Sequence, residues 1–198
     1  VRGQEASQNF AAADAYLRWI DDTVDSDLNP VKTSEFLVNE KKRIEDLKSG
    51  RTIDDNEVLG YLKRAYGIEI LDLFEKIIEG FEIDNNVIYT GIPPSSLELK
   101  KRNLSQTLYG FKLLTLIRYG KLFDSSEQLD ALMYNWARYD ALRDLDEDLE
   151  AGLILFSKEE LDEYGIIFIP GEKVPKGFDD FARIKKRETI DGLVRYSK

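Results

Sequence analysis

The chain has 198 residues, enough for one domain with a substantial core, and its 42% hydrophobic and 33% charged residues predict folding rather than disorder. It contains no Cys and no His, which removes disulfides, thiol nucleophiles, Cys- or His-built zinc sites and Ser-His-Asp hydrolysis. Its 28 Lys and Arg against 38 Asp and Glu give a net charge of -10, which repels nucleic-acid phosphates and leaves carboxylates, Lys/Arg, Tyr and a hard metal ion to do any chemistry.

Taken in chain order, the pattern is helical nearly throughout. Phe10 to Ile20 carries Ala11, Ala12, Ala13, Tyr16, Leu17 and Ile20 at helix spacing, without Gly or Pro. Asn29-Pro30 breaks it, Thr33-Ser34-Glu35 offers a new start, and Ser49-Gly50 ends that helix after about Lys48. Asp54-Asp55 opens a further helix through Leu59, Leu62 and Tyr66, and Gly67 interrupts it. Ile68 to Phe81 is dense enough in apolar residues for a largely buried helix.

From Ile83 to Ser96 the Asp-Asn-Asn run and Pro93-Pro94 predict a loop. Ser96 caps a long helix from Leu97 to about Leu122, and Asp124-Ser125-Ser126-Glu127 starts another that runs to about Glu150 and stops at Gly152. Ile166 to Ile169 suits a short strand, though one strand makes no sheet. Phe178 to Tyr196 reads as a final helix. The expected fold is all-α, about seven helices around one core, in a single domain over residues 1–198 that is incomplete at both ends. No apolar run reaches the roughly 20 residues of a spanning helix, and no signal-peptide pattern opens the chain. The expected location is therefore the cytoplasm, with peripheral membrane contact at most.

Two acidic clusters stand out. Arg18-Trp19-Ile20-Asp21-Asp22-Thr23-Val24-Asp25 places Asp21 and Asp25 four apart on one helix face, with Arg18 on the same face. In the second, Asp140, Asp144 and Asp148 form an i, i+4, i+8 row with Glu147 close by. Like charges at this spacing repel, so solvent, basic partners or cations must offset them. A solvated helix face is the ordinary reading of either cluster alone. Against it stand the apolar and aromatic flanks and the shared Arg-preceded Asp-x-x-x-Asp pattern; two such helices facing each other would gather four carboxylates. Oxygen ligands without His or Cys select Mg²⁺, or Mn²⁺, over zinc. Mg²⁺ takes one or two carboxylates and completes its shell with water and phosphate oxygens, which suits a diphosphate ligand steadied by Arg18. Asp144-x-Asp146-x-Asp148 lacks the turn Gly and closing Glu of a calcium loop. Lys41-Lys42-Arg43 and Lys185-Lys186-Arg187 read as solvated faces, the second as a weaker candidate for membrane contact.

Arg18-x-Ile20-Asp21-Asp22-x-x-Asp25 and Leu142-Arg143-Asp144-x-x-Glu147-Asp148-x-x-x-Gly152, followed by Phe156-Ser157-x-Glu159-x-Leu161-x-x-Tyr164-Gly165, resemble the two signatures of the squalene/phytoene synthase family. The resemblance implies an all-α isoprenoid synthase bundle with a central cavity and a transferase that joins prenyl diphosphates. By position it implies that Asp21, Asp25, Asp144 and Asp148 are Mg²⁺ ligands and that Arg18, Asp140 and Arg143 contact substrate. Ala137, Asp140 and Leu153 stand where the family usually has Gln, Asn and Arg. Those departures favour the alternative, a catalytically silent relative that keeps the scaffold as a binding or assembly module.

Overall fold

A computed structural model describes residues 2–25, 29–51, 57–168 and 174–196. The helices are α1 (Arg2–Asp25), α2 (Pro30–Lys48), α3 (Glu57–Tyr66), α4 (Ile68–Thr90), α5 (Ser96–Gln106), α6 (Leu108–Tyr119), α7 (Glu127–Arg143), α8 (Leu145–Glu150), α9 (Lys158–Glu163) and α10 (Phe178–Tyr196). There is no strand among the described residues, so the all-α expectation holds; residues 166–168 take no regular structure, and Ile169 lies outside the described residues. The helices are more numerous than the expected seven because two long segments are broken, one at Thr107 and one at Asp144, and because the short helix α9 is added after Ser157. They form two compact units, residues 1–82 with 109–124, and residues 83–108 with 125–198.

In the first unit, α1 buries Ala13, Tyr16, Ile20 and Val24, a stripe at helical spacing. Helix α2 starts earlier than Thr33. The Asn29 side chain accepts from the Val31 amide at 2.9 Å and Pro30 fills the first helical position, where its missing N–H costs nothing. Thr33, Leu37, Glu40, Ile44 and Leu47 then line its buried face. Gly67, at φ 77°, takes the left-handed turn that separates α3 from α4. The core gathers Leu59, Leu62, Leu71, Phe74 and Ile78 against α1 and α2, with the Phe74 ring edge-on to Tyr16 at 5.0 Å between centroids. Polar clusters sit in it: the Tyr16 hydroxyl donates to Glu40 Oε2 at 2.9 Å and Arg43 to Oε1 at 2.8 Å, and buried Asn9 donates to the Tyr66 hydroxyl at 2.7 Å. Burial raises the Glu40 pKa against the opposing pull of Tyr16 and Arg43. Burial first, then the Glu40 charge, raises that of Tyr16.

The second unit is wired differently. Residues 83–90, expected as loop, are the last turns of α4, with Val87 buried in an apolar cluster. Asp84 tolerates the helix interior because Arg102 and Gln106 satisfy its carboxylate. Ser95, one residue before the predicted cap, forms a reciprocal capping box with Glu98, and Ser157 forms another with Glu160. The α5 start is tied to α9: Lys158 N–H donates to the Pro94 carbonyl at 2.8 Å and Ser96 N–H to Glu159 at 2.8 Å. Phe156 packs against Phe181 at 4.9 Å and Phe178 at 5.5 Å. Around this cluster, Arg138 makes a two-point ion pair with Glu160, both contacts at 2.9 Å. Burial pushes the Glu160 carboxyl up, but the Arg138 charge and hydrogen bonds outweigh it and hold the pKa below the usual value. The stop after Glu150 comes at Gly152 (φ 80°), as read from the sequence.

Candidate functional site

The predicted carboxylate row survives a helix break. Helix α7 ends at Arg143 and α8 begins at Leu145, with Asp144 between them at φ -97°, ψ 15°. The Asp144 N–H still donates to the Asp140 carbonyl and the Asp148 N–H to the Asp144 carbonyl, both at 3.0 Å. Four-residue register is therefore kept across the break, and Asp140, Asp144 and Asp148 all line one pocket of about 310 Å³. Asp146 does not line it, being two residues out of the four-residue phase of the row.

The opposite wall is α5. Arg102, Gln106 and Thr107 line it, and Ala137 and Leu155 add apolar surface. Arg102 is nearly buried and aligned by Asp84 through Nε–Oδ1 at 2.8 Å and Nη2–Oδ2 at 3.0 Å; Gln106 also donates to Asp84 at 3.0 Å. Such a two-point guanidinium–carboxylate pair fixes orientation as well as charge. Sequence reasoning did not find Asp84, Arg102 or Gln106. The available signal was Leu99, Arg102, Asn103 and Gln106 at three- and four-residue steps, polar residues on the face that also carries a buried Leu.

Arg143 lies across the row. It donates to both Asp144 oxygens at 2.8 and 2.6 Å and to Asp140 Oδ1 at 3.0 Å. These hydrogen bonds hold the Asp144 carboxyl below its ordinary pKa and raise that of Arg143. The pairs are largely open to solvent, so they are easily exchanged for a ligand. Among the described residues, no three carboxylates are gathered into a ready cation cage. The pocket's donor set, carboxylates without His or Cys, nevertheless suits Mg²⁺, which needs only one or two of them.

The first acidic motif belongs to the first unit. Asp21 and Asp22 are exposed on the last turns of α1; Asp25 ends that helix, and its side chain lies outside the described residues. Arg18 pairs with Asp14, one turn back, at 2.9 Å, and both are exposed. The tryptophans flanking the two motifs are not buried: Trp19 stays 43% and Trp136 53% exposed, although Trp19 packs edge-on against Phe36 at 5.2 Å. Nor are the basic clusters simple solvated faces. Lys185 is buried, donates to Glu188 at 2.9 Å and sits over the Tyr164 ring, and Arg43 pairs with buried Glu40. No helix among the described residues is long and apolar enough to cross a membrane. Compared with known proteins, the chain matches no family model, no curated protein and no solved structure.

Proposed function

We propose that the chain is a Mg²⁺-dependent prenyltransferase of the squalene/phytoene synthase type, with an isoprenoid synthase fold, acting on a prenyl diphosphate. The observation that carries this reading is the row of Asp140, Asp144 and Asp148 along one pocket, kept in register across the break at Asp144. The local layout beyond it, Gly152 and then a Ser157-capped helix ending before Gly165, follows the second signature of the resemblance.

In this reading Asp144 and Asp148 are the second-motif Mg²⁺ ligands and Asp140 and Arg143 contact the diphosphate beside them; the resemblance assigns Asp21 and Asp25 as first-motif ligands and Arg18 as a diphosphate contact. Bound Mg²⁺ supplies charge neutralisation of a departing diphosphate. Arg143 can exchange one carboxylate for a phosphate oxygen, which a guanidinium binds in the same two-point geometry. Arg102, held by Asp84, fixes the facing wall.

The test is release of diphosphate from farnesyl diphosphate by the full chain with Mg²⁺. Asp144→Asn and Asp148→Asn are expected to abolish release while leaving helicity unchanged; full turnover in both variants rejects the assignment. The second reading, a silent scaffold used for binding or assembly, is favoured by the same Arg143 pairs, which already satisfy two of the three carboxylates, and by buried Ala137. It predicts no release and no Mg²⁺-dependent diphosphate binding by the unaltered chain.

A further inference from the structure

The first unit carries a second, chemically opposite cavity. Helices α1 and α6 form a groove of about 410 Å³, within the roughly 300–1,000 Å³ range of small-molecule sites. Phe10 from α1 and Phe111, Leu114 and Tyr119 from α6 line it, each between 40% and 69% exposed. Isolated exposed apolar residues are ordinary, but four along one concave surface mark a place where something apolar is received. Its shape is braced. The Phe111 ring stands edge-on to Phe123 at 5.6 Å, and Ile117 at the base is buried in the core, its carbonyl accepting from the Tyr66 hydroxyl at 3.2 Å.

Among the described residues the charged group lining this groove is Arg118, one helical turn beyond Leu114. It is exposed and has no ion-pair or hydrogen-bond partner among the described residues. In a chain of net charge -10, a lone guanidinium beside an apolar groove selects an anion, and the overall field disfavours a multiply charged one. A carboxylate matches a single guanidinium at two points.

We infer that this groove binds a single-chain amphiphilic carboxylate of the fatty-acid type, its chain along Phe10, Phe111 and Leu114 and its carboxylate on Arg118. A ligand-sized concave groove, rather than a broad flat face, favours a free amphiphile over a protein partner.

The test is calorimetric titration of the full chain with dodecanoate, dodecanol and dodecyltrimethylammonium, each below its aggregation threshold. Dodecanoate is expected to bind one-to-one and at least tenfold more tightly than the cation. Arg118→Gln is expected to weaken dodecanoate about tenfold and leave dodecanol unchanged, as loss of a charge-assisted contact requires. Leu114→Asn, on an exposed position, is expected to weaken both. Equal binding of the anion and the cation, an unaffected Arg118→Gln variant, or no saturable binding at all overturns the inference. So does retention on phosphatidylglycerol vesicles without binding of free dodecanoate, which would make the groove a membrane contact.

Discussion

The two units solve the same problem, a helical core, with different physics. The first unit is an apolar core around Phe74 into which polar clusters are set, Glu40 with Tyr16 and Arg43, and buried Asn9 with Tyr61 and Tyr66. The second has a smaller apolar cluster around Phe156 and surrounds it with ion pairs, Arg138–Glu160 and Arg102–Asp84. The contrast extends to their cavities: an apolar groove with one cation in the first, a carboxylate-lined pocket in the second. Charge in the second unit thus appears in two settings, pairing one helix with another and lining a pocket.

The largest expected effect lies in the first core. Phe74→Ala removes a fully buried ring and should destabilise by about 3–5 kcal/mol in denaturant unfolding. A change well under 1 kcal/mol would show that this core is not closely packed. In the second unit Arg138→Leu removes the two-point partner of Glu160 but leaves it Lys185 at 3.7 Å and the Ser157 amide at 3.0 Å, so a smaller loss of about 1–2 kcal/mol is expected. Restoring neutrality with Arg138→Leu combined with Glu160→Gln should recover part of it in the same assay. No recovery would mean that the ring contact between Arg138 and Phe156 matters more than the charge pair.

A smaller effect sharpens the comparison through its sign. Glu40 has a folded pKa above its ordinary 4.5, so its contribution to stability is present below that value and is lost as pH rises through the raised folded pKa. Glu160 has a folded pKa below 4.5, so its contribution is present above that value and is lost as pH falls through the lowered folded pKa. Acidification should therefore favour the Glu40 site and weaken the Glu160 site. Comparing the pH dependence of unfolding of Glu40→Gln and Glu160→Gln with the parent tests this; each variant should remove a slope of opposite sign. Slopes of the same sign would contradict the assignment.

How far the sequence reaches follows the same division. Helices with an unbroken apolar stripe and clear punctuation were legible: Asn29-Pro30, Gly67, Gly152 and the span 178–196 all stand where the pattern put them. The misread stretches are those where a polar residue is buried by a distant partner. Asp84-Asn85-Asn86 looks like a turn until Arg102 and Gln106 supply what its carboxylate needs, and nothing local announces them. Lys185 looks solvated for the same reason, since Glu188 is local but Tyr164 and Glu160 are not. In the candidate site, helix phase alone brought Asp140, Asp144 and Asp148 together, and Arg143 reaches two of them as near neighbours in the chain, whereas the opposite wall of α5 depends on tertiary packing.

The most direct measurement is calorimetric titration of inorganic diphosphate into the full chain, with and without Mg²⁺, for the parent and for Asp144→Asn. Binding that requires Mg²⁺ and falls at least tenfold in Asp144→Asn is the predicted result. Heats that are absent, or that are the same with and without Mg²⁺, would contradict a pocket whose carboxylates receive a polyanion through a divalent ion.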